Sequence, residues 1–125
     1  MRLNRLHGDY AVARAGPGAP IPAAALSSPG FVSVTRTADE LSLTAPTEAV
    51  SEMETVEPGW CVFKLHGPFA FDEVGVVSGL SAPLAEARIG IFVISTYDTD
   101  YILVKAENAD RAAELWRNQG HEVGQ

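Results

Sequence analysis

The chain has 125 residues, 46% hydrophobic and 20% charged, with sixteen acidic against nine basic side chains and a formal charge of -7. That length allows one domain or two very small modules of a soluble globular protein. It leaves no room for a bilayer span, since no apolar run approaches the roughly 20 residues required, and an acidic surface with no basic stripe argues against a nucleic-acid partner. The negative field is compatible with a cationic or zwitterionic small ligand, and equally with a surface charged for solubility. The opening MRLNRLHGDY has no long apolar stretch, so no secretory signal is read there. The single Cys61 cannot form an internal disulfide, which fits a reducing cytoplasm.

In chain order, Tyr10–Arg14 alternates as a strand, and Gly16–Pro22 is a stiff Gly/Pro loop. Pro22–Leu26 can make one helical turn. Phe31–Thr35 and Glu40–Thr44 pair as a hairpin around Thr37-Ala38-Asp39, and Val50–Val56 makes a last edge strand. Pro58-Gly59 marks a boundary, giving modules at 1–58 and 59–125. Beyond it the pattern sharpens. Trp60–Leu65 is a strand and His66–Phe71 a loop. Asp72 caps a helix running to Arg88 with the apolar stripe Val76, Leu80, Leu84 and Ala87. Pro83 should kink this helix, and Gly79, four residues earlier, eases the ring clash. The strands Ile89–Ser95 and Tyr101–Val104 flank a polar turn, Thr96–Asp100. A second helix, Ala109–Gln119, is capped by Asn108, buries Ala109, Ala112, Ala113 and Trp116, and stops at Gly120. His121–Val123 is the final strand. The order β-α-β-β-α-β is the split βαβ arrangement of ferredoxin-like folds, with four antiparallel strands and both helices on one face. The fold class is therefore α+β. The first half reads as a shortened copy with weaker helices, although no identity between the halves establishes a repeat.

Chemistry-bearing residues are sparse. His7, His66 and His121 are scattered without metal-ligand spacing, so neither metal nor cofactor is implied. Cys61 lies on a buried strand with no neighbouring base and reads as a core residue. The paired carboxylates Asp72-Glu73 and Asp98/Asp100 are explained by a helix cap and a turn, and no catalytic motif is present. An enzyme is thus not supported. Two places could form one pocket. Gly75 opens the first long helix, where free N–H groups suit a carboxylate; close helix–strand packing would equally require a glycine. The turn Thr96–Asp100 offers Asp98 and Asp100, which suit an ammonium or guanidinium; an exposed turn explains them as well.

The runs Asp72-Glu73-Val74-Gly75, Ser95-Thr96-Tyr97 and Asp100-Tyr101-Ile102-Leu103-Val104 resemble the ACT domain, an amino-acid-binding regulatory module. Thr35–Leu43 resembles the first module of the same family. The similarity is to small bacterial tandem-ACT proteins related to CASTOR-type arginine sensors. It implies a non-enzymatic amino-acid-binding protein, with an arginine-like ligand at an interface between ACT modules and a homodimer restoring the four modules of those sensors. Carried onto this chain, the ligand-binding residues are Glu73, Val74, Gly75, Thr96, Tyr97, Asp98 and Asp100. The alternative is an assembly module that pairs its open sheet faces and edges with another protein and binds no small molecule.

Overall fold

The computed structural model describes residues 1–66 and 74–125. The chain forms two compact units. One is inserted, Gly8–Trp60; the other is discontinuous, built from Met1–His7 and Cys61–Gln125.

The inserted unit contains β2 (Tyr10–Ala15), α1 (Ala23–Leu26), β3 (Ser33–Arg36), β4 (Leu41–Pro46), a 3-10 turn (Thr47–Ala49) and the first part of β5 (Thr55–Leu65). Its strands lie in the order β3-β4-β2-β5, with every adjacent pair antiparallel. That is the ferredoxin-like order with both helices cut to about a turn. Ala11, Ala13 and Ala15 on β2 and Leu41, Leu43 and Ala45 on β4 supply one buried face. Side chains this small fill little volume, so the core closes with only Ala25, Ala49 and Val50 from outside the strands, padded by partly buried Ile21, Val32 and Met53. The expected strand over Val50–Val56 is corrected: bends and a turn occupy residues 50–54, directly after the 3-10 turn, and extended structure begins at Thr55.

The discontinuous unit contains β1 (Arg2–Arg5), the remainder of β5, α2 (Val76–Glu86), β6 (Phe92–Ser95), β7 (Asp100–Lys105), α3 (Ala106–Asn118) and β8 (Glu122–Gly124). Among the described residues its strands follow the order β8-β1-β5-β7-β6. The four-stranded antiparallel sheet expected for this half is therefore corrected to five strands. β1 lies between β5 and β8, antiparallel to the first and parallel to the second, with Leu3 facing Leu65 and Val123. Three of the four β1 residues are polar, which hides the strand in the sequence, yet Leu3 is fully buried. For the same reason the expected 1–58 module loses its first residues to the other unit.

Pro58-Gly59 lies inside β5, just before the division between the units at Trp60 and Cys61. Tyr10 faces Trp60 while Val12 faces Glu57, so Pro58 and Gly59 together oppose one residue. Gly59 has φ +84, a conformation open to glycine, and this is a β-bulge within β5.

Both long helices cover one sheet face, as the periodicity requires. Leu80 and Leu84 of α2 and Ala109, Ala112, Ala113 and Trp116 of α3 pack on Leu3, Cys61, Phe63, Leu65, Ile102 and Val104. Trp116 stacks edge-on against Phe63 at 5.0 Å and donates its indole N–H to the Leu80 carbonyl at 2.8 Å, which joins α3 to α2. Val62 and Leu103, on the opposite face, are fully buried as well, so that face is not open at its centre. α3 starts at Ala106, directly after β7, so Asn108 sits inside the first turn rather than at the cap. Gly120 ends α3 as expected, with φ +91.

Candidate ligand-binding site

β6 and β7 form a hairpin with Ser95 facing Asp100 at its end. Its tip is closed by Thr96. The Thr96 amide donates to the Thr99 carbonyl at 2.8 Å, the Thr96 hydroxyl donates to the same oxygen at 3.1 Å, and the Thr99 amide donates back to that hydroxyl at 3.3 Å. A threonine suits this place because its hydroxyl can serve as donor and acceptor at once. Ser95 donates its hydroxyl to Asp100 Oδ1, which fixes that carboxylate. Asp100 is half-buried, while Thr96, Tyr97 and Asp98 are exposed, Tyr97 at 80%.

Thr99 is buried at 6% exposure. Its hydroxyl donates to the Leu65 carbonyl at 2.8 Å. This bond ties the hairpin tip to the end of β5, from which the chain leads toward α2. His66 at that end donates its amide to the Arg2 carbonyl at 2.9 Å, and its imidazole Nε2 lies 3.1 Å from Asn4 Oδ1. The strand end is therefore held from both sides.

Gly75 is the residue before α2, with φ +82, and α2 has no side-chain cap there. A Cβ added at Gly75 meets no described atom within 4 Å. Close packing therefore does not explain this glycine; its left-handed backbone does. Among the described residues, no side chain caps the first N–H groups of α2. Val74 is 90% exposed. Glu73 and the expected cap Asp72 lie outside the described residues. Of the expected site residues, Thr96, Tyr97, Asp98 and Asp100 come together on the hairpin, and Val74 and Gly75 share the approach to α2. Ser95 and Thr99 were missing from that set. Their signal is the run of hydroxyls around the two aspartates, in which a buried threonine must find a partner.

An ACT domain family model matches residues 55–117, and a separate model of an N-terminal domain matches residues 8–53. The chain belongs to the ACT domain family. A crystal structure of a protein from Agrobacterium tumefaciens is 43% identical, with TM-score 0.90, over 99% of this chain and 92% of that one. The bovine cytosolic arginine sensor for mTORC1 subunit 1 is 29% identical over 74% of this chain, which spans 33% of that relative's length. The ligand-free regulatory subunit of aspartate kinase from Thermus thermophilus shares the fold, with TM-score 0.63 at 15% identity over 93% of this chain and 94% of that one. These likenesses agree with the α+β, ferredoxin-like fold of this chain. Among the described residues, no helix is long and apolar enough to cross a membrane.

Proposed function

We propose that the chain is a non-enzymatic, cytoplasmic regulatory module that binds a small amino acid. The ligand's amino or guanidinium group lies against Asp98 and Asp100, and its carboxylate against the first N–H groups of α2 beside Val74 and Gly75. One observation supports this reading: the Thr99 hydroxyl bonds to the Leu65 carbonyl and holds the Asp100 hairpin against the end of β5, the strand that precedes α2 in the chain. A zwitterion needs both kinds of group near each other. The likeness to the bovine arginine sensor favours an arginine-like ligand. A second copy of the chain would supply the other wall, with the ligand at an interface between ACT modules.

Isothermal titration against the twenty amino acids tests the reading. Binding is expected for at least one, with Asp100→Asn weakening it roughly ten- to a hundredfold, the worth of one charge-assisted hydrogen bond. If one binds and Asp100→Asn leaves it unchanged, the hairpin tip is only a loop. If none binds at millimolar concentration, the assembly-module reading replaces this one; the exposure of Val74 and Tyr97 is what favours it.

A further inference from the structure

The two units repeat one turn with different residues at its base. In the inserted unit the Thr37 amide donates to the Glu40 carbonyl at 2.9 Å, the Thr37 hydroxyl to the same oxygen at 3.4 Å, and the Glu40 amide to that hydroxyl at 3.1 Å. These are the same three bonds that join Thr96 and Thr99. The strand pairs closing the two hairpins are Arg36 with Leu41 and Ser95 with Asp100. Arg36 therefore holds the position of Ser95, and Leu41 that of Asp100.

At that position Arg36 does what no serine can. Its Nη1 donates to the Pro17 carbonyl and its Nη2 to the Ala19 carbonyl, the latter at 3.1 Å. Both carbonyls belong to the loop from β2 into α1, the strand-to-helix loop of this unit. Two acceptors thus converge on one planar cation, each taken by a different nitrogen of the guanidinium. Arg36 is exposed, so small molecules in solution can reach the same carbonyls.

We propose that Arg36 is a built-in occupant. The Pro17 and Ala19 carbonyls form a cradle for one guanidinium that the chain fills with its own side chain, and a free guanidinium compound takes the place when that side chain is removed. The inserted unit is then closed to such ligands in the natural chain. This goes beyond the amino-acid reading of the hairpin at Asp100 and stands whether or not that hairpin binds anything.

The test titrates methylguanidinium into 15N-labelled wild type and Arg36→Ser, the residue the other unit carries at this position, with urea as the uncharged control. In Arg36→Ser the amides of Gly18, Ala19 and Ile21 should shift saturably with a Kd on the order of 1–10 mM, as expected of one small cation on an exposed site. Urea should leave them in place, and the wild type should respond at least tenfold more weakly. The amides of Thr96–Asp100 report the other site separately, so its failure is distinguishable. Arg36→Gln, of similar length but neutral, is read in the same way. A folded variant without a saturable shift, or a wild type that responds equally, overturns the proposal. Two variants that both fail to fold also overturn it, since Arg36 would then be a structural brace.

Discussion

Thr99 shows how much one hydroxyl can decide. It is buried, and it satisfies the Leu65 carbonyl at the end of β5. Thr99→Val keeps the shape and removes this buried hydrogen bond, so unfolding in denaturant should show a loss of about 0.5–1.5 kcal/mol. The same variant should weaken any ligand held by Asp100, because the tip loses its anchor. A loss confined to stability, with binding intact, would show that the anchor does not position the site. His121 titrates in an instructive direction. Burial, and then the α-amino group of Met1, hold its pKa below the ordinary 6.5. Its Nδ1 is inaccessible and has no hydrogen-bond partner among the described residues. As the pH falls the unfolded chain therefore takes up the proton first. The contribution of the neutral ring is intact above about pH 6.5 and is lost progressively below it. The thermal midpoint of the wild type should thus fall more steeply than that of His121→Gln between about pH 7 and pH 5.5. Equal slopes would assign the dependence to the carboxylates.

At the scale of elements, the two long helices end alike with different residues. After α3, the Gly120 amide reaches the Arg117 carbonyl at 3.0 Å and the His121 amide that of Trp116 at 3.1 Å. After α2, the Arg88 amide reaches Ala85 at 3.0 Å and the Ile89 amide Leu84 at 2.9 Å. Both are Schellman ends, and Arg88 stands at φ +61 where glycine is the usual choice. Arg88 is exposed, so Arg88→Gly should raise stability by about 0.5–1 kcal/mol, the relief of the left-handed backbone less the added freedom of the unfolded chain. A lower thermal midpoint would mean that the arginine side chain does more than end the helix. These ends also show what was legible in the sequence. Gly120 announced its helix stop; Arg88 did not, because arginine has no preference for that conformation. The hairpin β6–β7 and the stripes of α2 and α3 were readable because their apolar periods are strong. β1 was not, since a four-residue strand with one buried leucine has no period to detect. The bulge at Gly59 was not legible, because a glycine after a proline marks a bulge and a boundary with the same letters. The aspartates of the hairpin were legible as turn residues. The bonds that make them a candidate site, from Ser95 and Thr99, depend on strand register that local spacing leaves open.

For the whole molecule, the apolar edge strand β6 bears on assembly. Phe92, Val93 and Ile94 are half-buried. Among the described residues β6 pairs only with β7, and an edge of this kind invites a further strand. A homodimer is therefore expected, of about twice the 13.3 kDa chain mass in sedimentation or light scattering at micromolar concentration. A particle of monomer mass would contradict it. Burial of Val62 and Leu103 places the argument on the edge alone, since the sheet face opposite the helices is already filled at its centre.

The position of β1 sets the order in which this protein can be made. Residues 8–60 hold all the strands of their own sheet, so they can close as soon as they leave the ribosome. Arg2–Arg5 emerge earlier but must wait, because one of their partners, Glu122–Gly124, follows only after the whole of the inserted unit and both long helices. β1 is thus held in reserve until β8 has been made, and the discontinuous unit is completed only when these two strands meet. Contacts of such long sequence separation form slowly. The short, largely polar sequence of β1 suits that delay, since a longer apolar strand left without partners would be open to pairing with other chains.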